Sequence, residues 1–189
     1  SRPCMASTDL IPLVSMGVDH KTAPVEVREA LAFDPDQVRR FLAETDAVLP
    51  ERMLLSTCNR TSLIAVPPAG VEDPVALLVD LVRDARGVPD FGQKSLTRID
   101  RGEDALRHLF RVATGIESMV PGEAQILGQL KEAADLARAA GSAGRSAICV
   151  RRCQGTPLRS IRSATASNRS GCRGTTINRN RGYRGASSR

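Results

Sequence analysis

The stretch Met53-Leu54-Leu55-Ser56-Thr57-Cys58-Asn59-Arg60-Thr61-Ser62-Leu63-Ile64-Ala65-Val66 decides how this chain is read. Met53 to Ser56 and Ser62 to Val66 are short runs of strand character with a polar segment, Thr57 to Arg60, between them. Upstream, Pro12 to Val18 (PLVSMGV) is apolar and β-branched, which predicts another strand entering a core. Downstream, Lys94 to Ile99 alternates weakly and predicts an edge strand.

Helix signals fill the intervals. Thr22-Ala-Pro-Val-Glu opens a helix, with Pro24 near its first turn, Glu26 at the positive end of the dipole, and Val27, Ala30 and Leu31 at helical spacing. Asp34-Pro35 opens a second, capped by Asp34, with Val38, Phe41 and Leu42 as its core stripe. Pro67-Pro68-Ala69-Gly70 breaks the chain before Asp73-Pro74 starts a third, whose Val75, Leu78, Val79 and Val82 share a face. Two more helices are expected over roughly Gly102 to Ala113 and Gly122 to Ala140; Ile126, Leu130, Ala133, Ala137 and Ala140 share one face of the latter. The chain is short and has no dinucleotide signature. The expectation is therefore an α+β domain, one small mixed or antiparallel sheet covered by helices.

Charge divides the chain in two. Its 189 residues carry 27 Lys and Arg against 21 Asp and Glu, a net of +6. Eleven of those cations, all Arg, fall between Arg145 and Arg189, where there is no acid; residues 1 to 144 keep 16 basic against 21 acidic, a net of −5. The Arg-, Ser- and Gly-rich segment lacks apolar periodicity, so a disordered tail is expected over 145–189. Residues 1–10 are expected to be a flexible N-terminus, and 11–144 a single domain.

Several classes are set aside. No run approaches the roughly 18 to 20 apolar residues that span a bilayer, so no membrane association is expected. The N-terminus lacks the basic-then-apolar order of a secretory signal, which predicts a cytoplasmic protein. Cys4, Cys58, Cys149, Cys153 and Cys172 are an odd, scattered set, unlike a disulfide framework. Cys149 and Cys153 have no histidine near them in sequence, so no metal is expected.

Within the body, Cys58 follows a strand in a polar loop, where rigid scaffolds present reactive groups. Arg60 would either favour its thiolate or grip a substrate carboxylate through a planar fork. A small buried cysteine closing the strand is the competing reading. His108 lies on a helix whose Leu106, Leu109, Phe110 and Ala113 form the apolar stripe, roughly 150° from the stripe centre. That position excludes the core and leaves solvent or a cleft. Gln125 and Gln129, one turn apart, either grip one ligand together or are two solvated amides.

Three longer motifs carry a family resemblance: Gly17-Val-Asp-His-Lys-Thr-Ala-Pro-Val-Glu-Val-Arg-Glu, Leu55-Ser-Thr-Cys-Asn-Arg-Thr, and Gly115-Ile-Glu-Ser-Met-Val-Pro-Gly-Glu-Ala-Gln-Ile-Leu-Gly-Gln. In this order they resemble glutamyl-tRNA reductase, over about Leu13 to Arg145, the family's N-terminal catalytic domain. The resemblance implies NADPH-dependent reduction of glutamyl-tRNA to glutamate-1-semialdehyde, the entry to tetrapyrrole and heme synthesis, through a cysteine thioester. It implies Cys58 as the nucleophile and His108 as a residue important for activity. Thr57, Asn59, Arg60, Ser118, Glu123, Ala124, Gln125 and Gln129 match substrate-binding positions, Arg60 suiting the glutamate side-chain carboxylate. It implies no metal, and as partners glutamyl-tRNA, a second copy of the chain and glutamate-1-semialdehyde aminomutase.

The chain departs from the family in two ways. Ser62 stands where an acidic residue is usual. Past Gly144 the family continues into a linking helix, an NADPH-binding domain and a dimerisation domain, whereas here the composition turns to arginine. This reads as an out-of-frame continuation of GC-rich coding sequence, and the chain is then expected to support acylation and thioester hydrolysis only. The competing readings are a non-enzymatic RNA-binding module built on the basic tail, with Tyr183 as its one aromatic, and a product without function.

Overall fold

Four strands and five helices are present in the computed structural model, which describes residues 12–119 and 125–144. Both the N-terminal segment expected to be flexible and the arginine-rich segment expected to be disordered lie outside the described residues. Along the chain run β1 (Val14–Asp19), α1 (Val25–Leu31), α2 (Pro35–Glu44), β2 (Glu51–Thr57) and β3 (Arg60–Val66). They are followed by α3 (Pro74–Arg86), β4 (Arg98–Arg101), α4 (Gly102–Ala113) and α5 (Gln125–Ala139). The strands form one sheet in the order β2-β3-β1-β4, antiparallel throughout. This is the expected α+β layer, with the mixed alternative removed.

Local chemistry accounts for the helix starts. Asp34 accepts from the backbone N–H groups of Asp36 (2.9 Å) and Gln37 (2.8 Å), and Gln37 Oε1 accepts from Asp34 N at 2.9 Å, a reciprocal capping box. Asp73 caps α3 in the same way through Val75 N and Ala76 N. The edge strand begins later than its alternation suggests. Residues 92–97 are spent on turns, with Leu96 N and Thr97 N both donating to Gln93 O, so only Arg98 to Arg101 pair with β1. In α1, Leu31 is buried but Ala30 is exposed; Ala140 lies past the end of α5 and is exposed too. The predicted start of the last helix, at Gly122, lies outside the described residues.

The sheet is packed on both faces. Val14, Met16, Val18, Leu54, Leu63 and Ala65 form one core with α1, α2 and α3. Leu13, Met53, Leu55 and Ile64 form the other with α4 and α5. Strand periodicity assigns further residues to this second face. Asp19 opposes Arg60 across β1 and β3, Gly17 opposes Ser62, and Arg98 and Asp100 continue the row on β4. The face is thus apolar toward one end and charged toward the other. Gly17 lets the strands close there: a Cβ at that position would fall 2.1 Å from Thr61 O and 2.8 Å from Ser62 Cα.

After α5 the chain is stitched to the start of β2. Arg52 N donates to Ser142 O at 3.0 Å, and Ser142 Oγ donates to Arg52 O at 3.1 Å.

Candidate active site

Thr57 and Arg60 are the last paired residues of β2 and β3, so only Cys58 and Asn59 form the turn. The predicted polar loop is therefore a two-residue hairpin. Thr57 Oγ1 tightens it, accepting from Asn59 N (3.3 Å) and Arg60 N (3.2 Å). From α1, Arg28 Nη1 donates to Cys58 O (3.2 Å) and Asn59 Oδ1 (3.1 Å), fixing the turn from outside. Cys58 is exposed at its tip as a free thiol, which removes the reading of a buried, strand-closing cysteine.

Arg60 is the opposite case: it is 2% exposed. Its Nη2 donates to the backbone carbonyl of Glu117, while Nη1 is buried with no partner. Burial pushes the guanidinium below its ordinary value, with Asp19 and Glu117 opposing that shift through their charge. A buried cation with an unpartnered N–H is costly unless something anionic completes it.

Glu117 sits in the turn that follows α4. Gly115, at φ 73°, takes the left-handed conformation that reverses the chain there. Its neighbour Glu117 then folds back into the protein, 4% exposed. Lys21 Nζ donates to its Oε2 at 2.5 Å and Arg111 Nε to its Oε1 at 2.6 Å. The Lys21 hydrogen bond leads in holding this carboxyl at about 2, against a burial effect that raises it.

A narrow cleft of about 30 Å³ brings the predicted residues together. Thr57, Cys58, Asn59 and Arg60 line it from the hairpin, Ser118 and Met119 from the turn after α4, and Gln125 and Gln129 from α5. Gln125 is exposed and Gln129 half-buried, both on one edge of their helix. Glu123 and Ala124 lie outside the described residues. A roomier cavity of about 620 Å³ opens at the far end of the sheet, lined by residues such as Pro12, Pro67 and Arg101, and contains none of the predicted site residues.

His108 requires a correction. It is 7% exposed and belongs to the buried face of α4, with Ala105, Leu109, Val112 and Ala113. Leu106 and Phe110, which defined the sequence stripe, are only half-buried, so the inward face is turned from the predicted one. A histidine is tolerated inside because that face meets the charged end of the sheet. It lines a second small pocket with Ser15, Gly17, Asp19, Ser62, Arg98 and Asp100, beside rather than within the Cys58 cleft. Its Nδ1 has no partner, and burial, then the charge of Arg98, lowers its pKa.

Sequence reasoning missed Lys21, Arg28, Arg111, Glu117 and Asp19 as parts of this site. Asp19, Lys21 and Arg28 lie inside the first quoted motif and Glu117 inside the third, next to Ser118, so the signal available was the charged residues of those motifs; Arg111 lies outside them. Among the described residues no three His, Cys, Asp or Glu side chains are grouped to hold a metal ion, and no helix is long and apolar enough to cross a membrane.

Residues 16–150 match the family described as glutamyl-tRNAGlu reductase, N-terminal domain. Among relatives, a glutamyl-tRNA reductase of Syntrophotalea carbinolica is 44% identical over 133 residues, covering 68% of this chain and 29% of the relative. One from Xanthomonas campestris is 46% identical over 132 residues, with 68% and 28% covered. The solved glutamyl-tRNA reductase from Methanopyrus kandleri superposes with a TM-score of 0.62 at 35% identity, covering 83% of this chain and 36% of its own. The chain thus spans less than a third of the length of these two sequence relatives. It belongs to the glutamyl-tRNA reductase family, of which it carries the N-terminal domain.

Proposed function

We propose that this domain takes the glutamyl group from glutamyl-tRNA onto Cys58. The Cys58 sulfur attacks the aminoacyl carbonyl, a C–S bond forms as the ester C–O bond breaks, and the terminal ribose oxygen leaves with a proton. The covalent intermediate divides one hard step into two. Arg60 receives the substrate side-chain carboxylate on its free Nη1, and Thr57, Asn59, Ser118, Gln125 and Gln129 orient the rest. Glu123 and Ala124 are assigned to substrate binding by their positions in the family motif. His108 acts from the neighbouring pocket, where it shares with Arg60 the charges of Arg98 and Glu117. The observation that carries this reading is the cleft itself, which sets an exposed thiol beside a buried, incompletely partnered guanidinium.

In the family this acylation leads to glutamate-1-semialdehyde and tetrapyrrole synthesis, and the same place is proposed for this domain. The described residues do not fit NADPH. Their sheet is antiparallel, without the strand–glycine turn–helix unit of a parallel sheet that cradles a pyrophosphate. We therefore assign them acyl transfer and slow thioester hydrolysis, and no reduction. A dimer and an aminomutase partner belong to the whole-protein proposal.

Incubation with glutamyl-tRNA followed by mass spectrometry should find a glutamyl adduct on the Cys58 peptide, abolished by Cys58→Ser. A folded wild-type chain that forms no adduct overturns the proposal.

A further inference from the structure

The buried carboxylate of Glu117 has no part in the chemistry proposed above, yet it is among the most heavily partnered groups near the cleft. Its two oxygens are taken by Lys21 from the β1–α1 turn and Arg111 from the end of α4. Its own backbone carbonyl accepts from Arg60 Nη2. Three segments far apart in sequence therefore converge on one residue. The next residue, Ser118, lines the cleft.

This arrangement divides labour within the guanidinium of Arg60. Nη2 is held by a backbone carbonyl whose position is set by two ion pairs on the same residue's side chain. Nη1 is thereby left buried and unpartnered, on a residue that lines the same cleft as Cys58. Without the ion pairs, the Gly115 turn keeps its backbone hydrogen bonds and the bond from Thr114 Oγ1 to Arg111 O, but the Glu117 side chain no longer fixes the direction of its carbonyl. The arginine would then seek water or Asp19, its partner across β1 and β3.

We infer that Glu117 is a positioning residue: pinned by Lys21 and Arg111, it aims Arg60 so that the cleft selects a carboxylate-bearing group for reaction at Cys58. This rests on the Cys58–Arg60 reading above and adds the residue that makes Arg60 selective.

The test uses the full chain and two reagents that differ in charge. The Cys58 sulfur displaces iodide from either iodoacetate, which carries a carboxylate, or iodoacetamide, its neutral counterpart. Peptide mass spectrometry follows Cys58 apart from the other four cysteines. The ratio of the two rates reads carboxylate selection by Arg60, and the iodoacetamide rate alone reads the thiol's accessibility. Arg60→Met defines the ratio without selection. Glu117→Gln should leave the iodoacetamide rate near that of wild type and lower the ratio by about threefold or more, as expected for a charge interaction partly open to water.

Lys21→Gln removes one of the two pins at a side chain that is 52% exposed, so it tests the same idea without threatening the core; it should give an intermediate ratio. A ratio unchanged in both variants but reduced in Arg60→Met overturns the role of Glu117 and leaves the Arg60 reading intact. A ratio unchanged in Arg60→Met as well overturns both. If Glu117→Gln does not fold, Lys21→Gln decides alone.

Discussion

His108 is a histidine whose surroundings disfavour its charged form. Burial of its ring is the main force against the charged form, and the cations Arg98 and Arg60 add to it against the opposing pull of Asp100 and Glu117. Its folded pKa therefore lies below the ordinary 6.5. The unfolded chain binds this proton more readily, so the His108 contribution makes the fold lose stability as pH drops below about 6.5. An NMR titration of the imidazole should find a midpoint below that value and a neutral ring at pH 7; a midpoint at or above 6.5 would refute this environment. At this scale the sequence was half legible. Cys58, Arg60 and Gln129 announce themselves through motif and spacing. Glu117 does not, because it works through a backbone carbonyl and through partners such as Lys21, 96 positions away. His108 misled for a related reason: its inward orientation depends on a charged sheet end that only pairing of β1, β3 and β4 creates.

The elements were most legible where chemistry is local. Asp34 and Asp73 each name a helix start because a carboxylate one residue ahead of proline can take the orphan N–H groups of the first turn. The edge strand was displaced because the turns before it are closed by Gln93 and Thr97, through contacts an alternation pattern does not register. Gly17 has no room for a side chain between the central pair of strands. Gly17→Ala would drive a methyl into the backbone of β3, the strand that carries Arg60 and Ser62. We expect a loss of about 1–3 kcal/mol in denaturant unfolding, with the cost set by how far β3 can move. A variant as stable as wild type would show that the strands are not in close contact there.

For the whole molecule, net charge is a poor guide to function. The +6 is the sum of an acidic body and a segment of arginines, and among the described residues those lining the cleft belong to the body. Removing residues 146–189 should leave acylation of Cys58 unchanged at moderate salt, measured by the same adduct assay. A loss that low salt restores would instead make the arginines part of tRNA binding, since phosphate contacts weaken steeply as salt rises.

The stitch between Ser142 and Arg52 also sets a distance. It anchors the end of the described chain at the base of the hairpin, six residues along β2 from the Cys58 tip, about 20 Å at the rise of an extended strand. Anything tethered after Gly144 starts from the wrong end of a rigid ribbon. A group carried on that tether needs at least about six extended residues before it can touch the thiol. A group attached just after Gly144 has that span to cross before it meets the acyl sulfur at the hairpin tip.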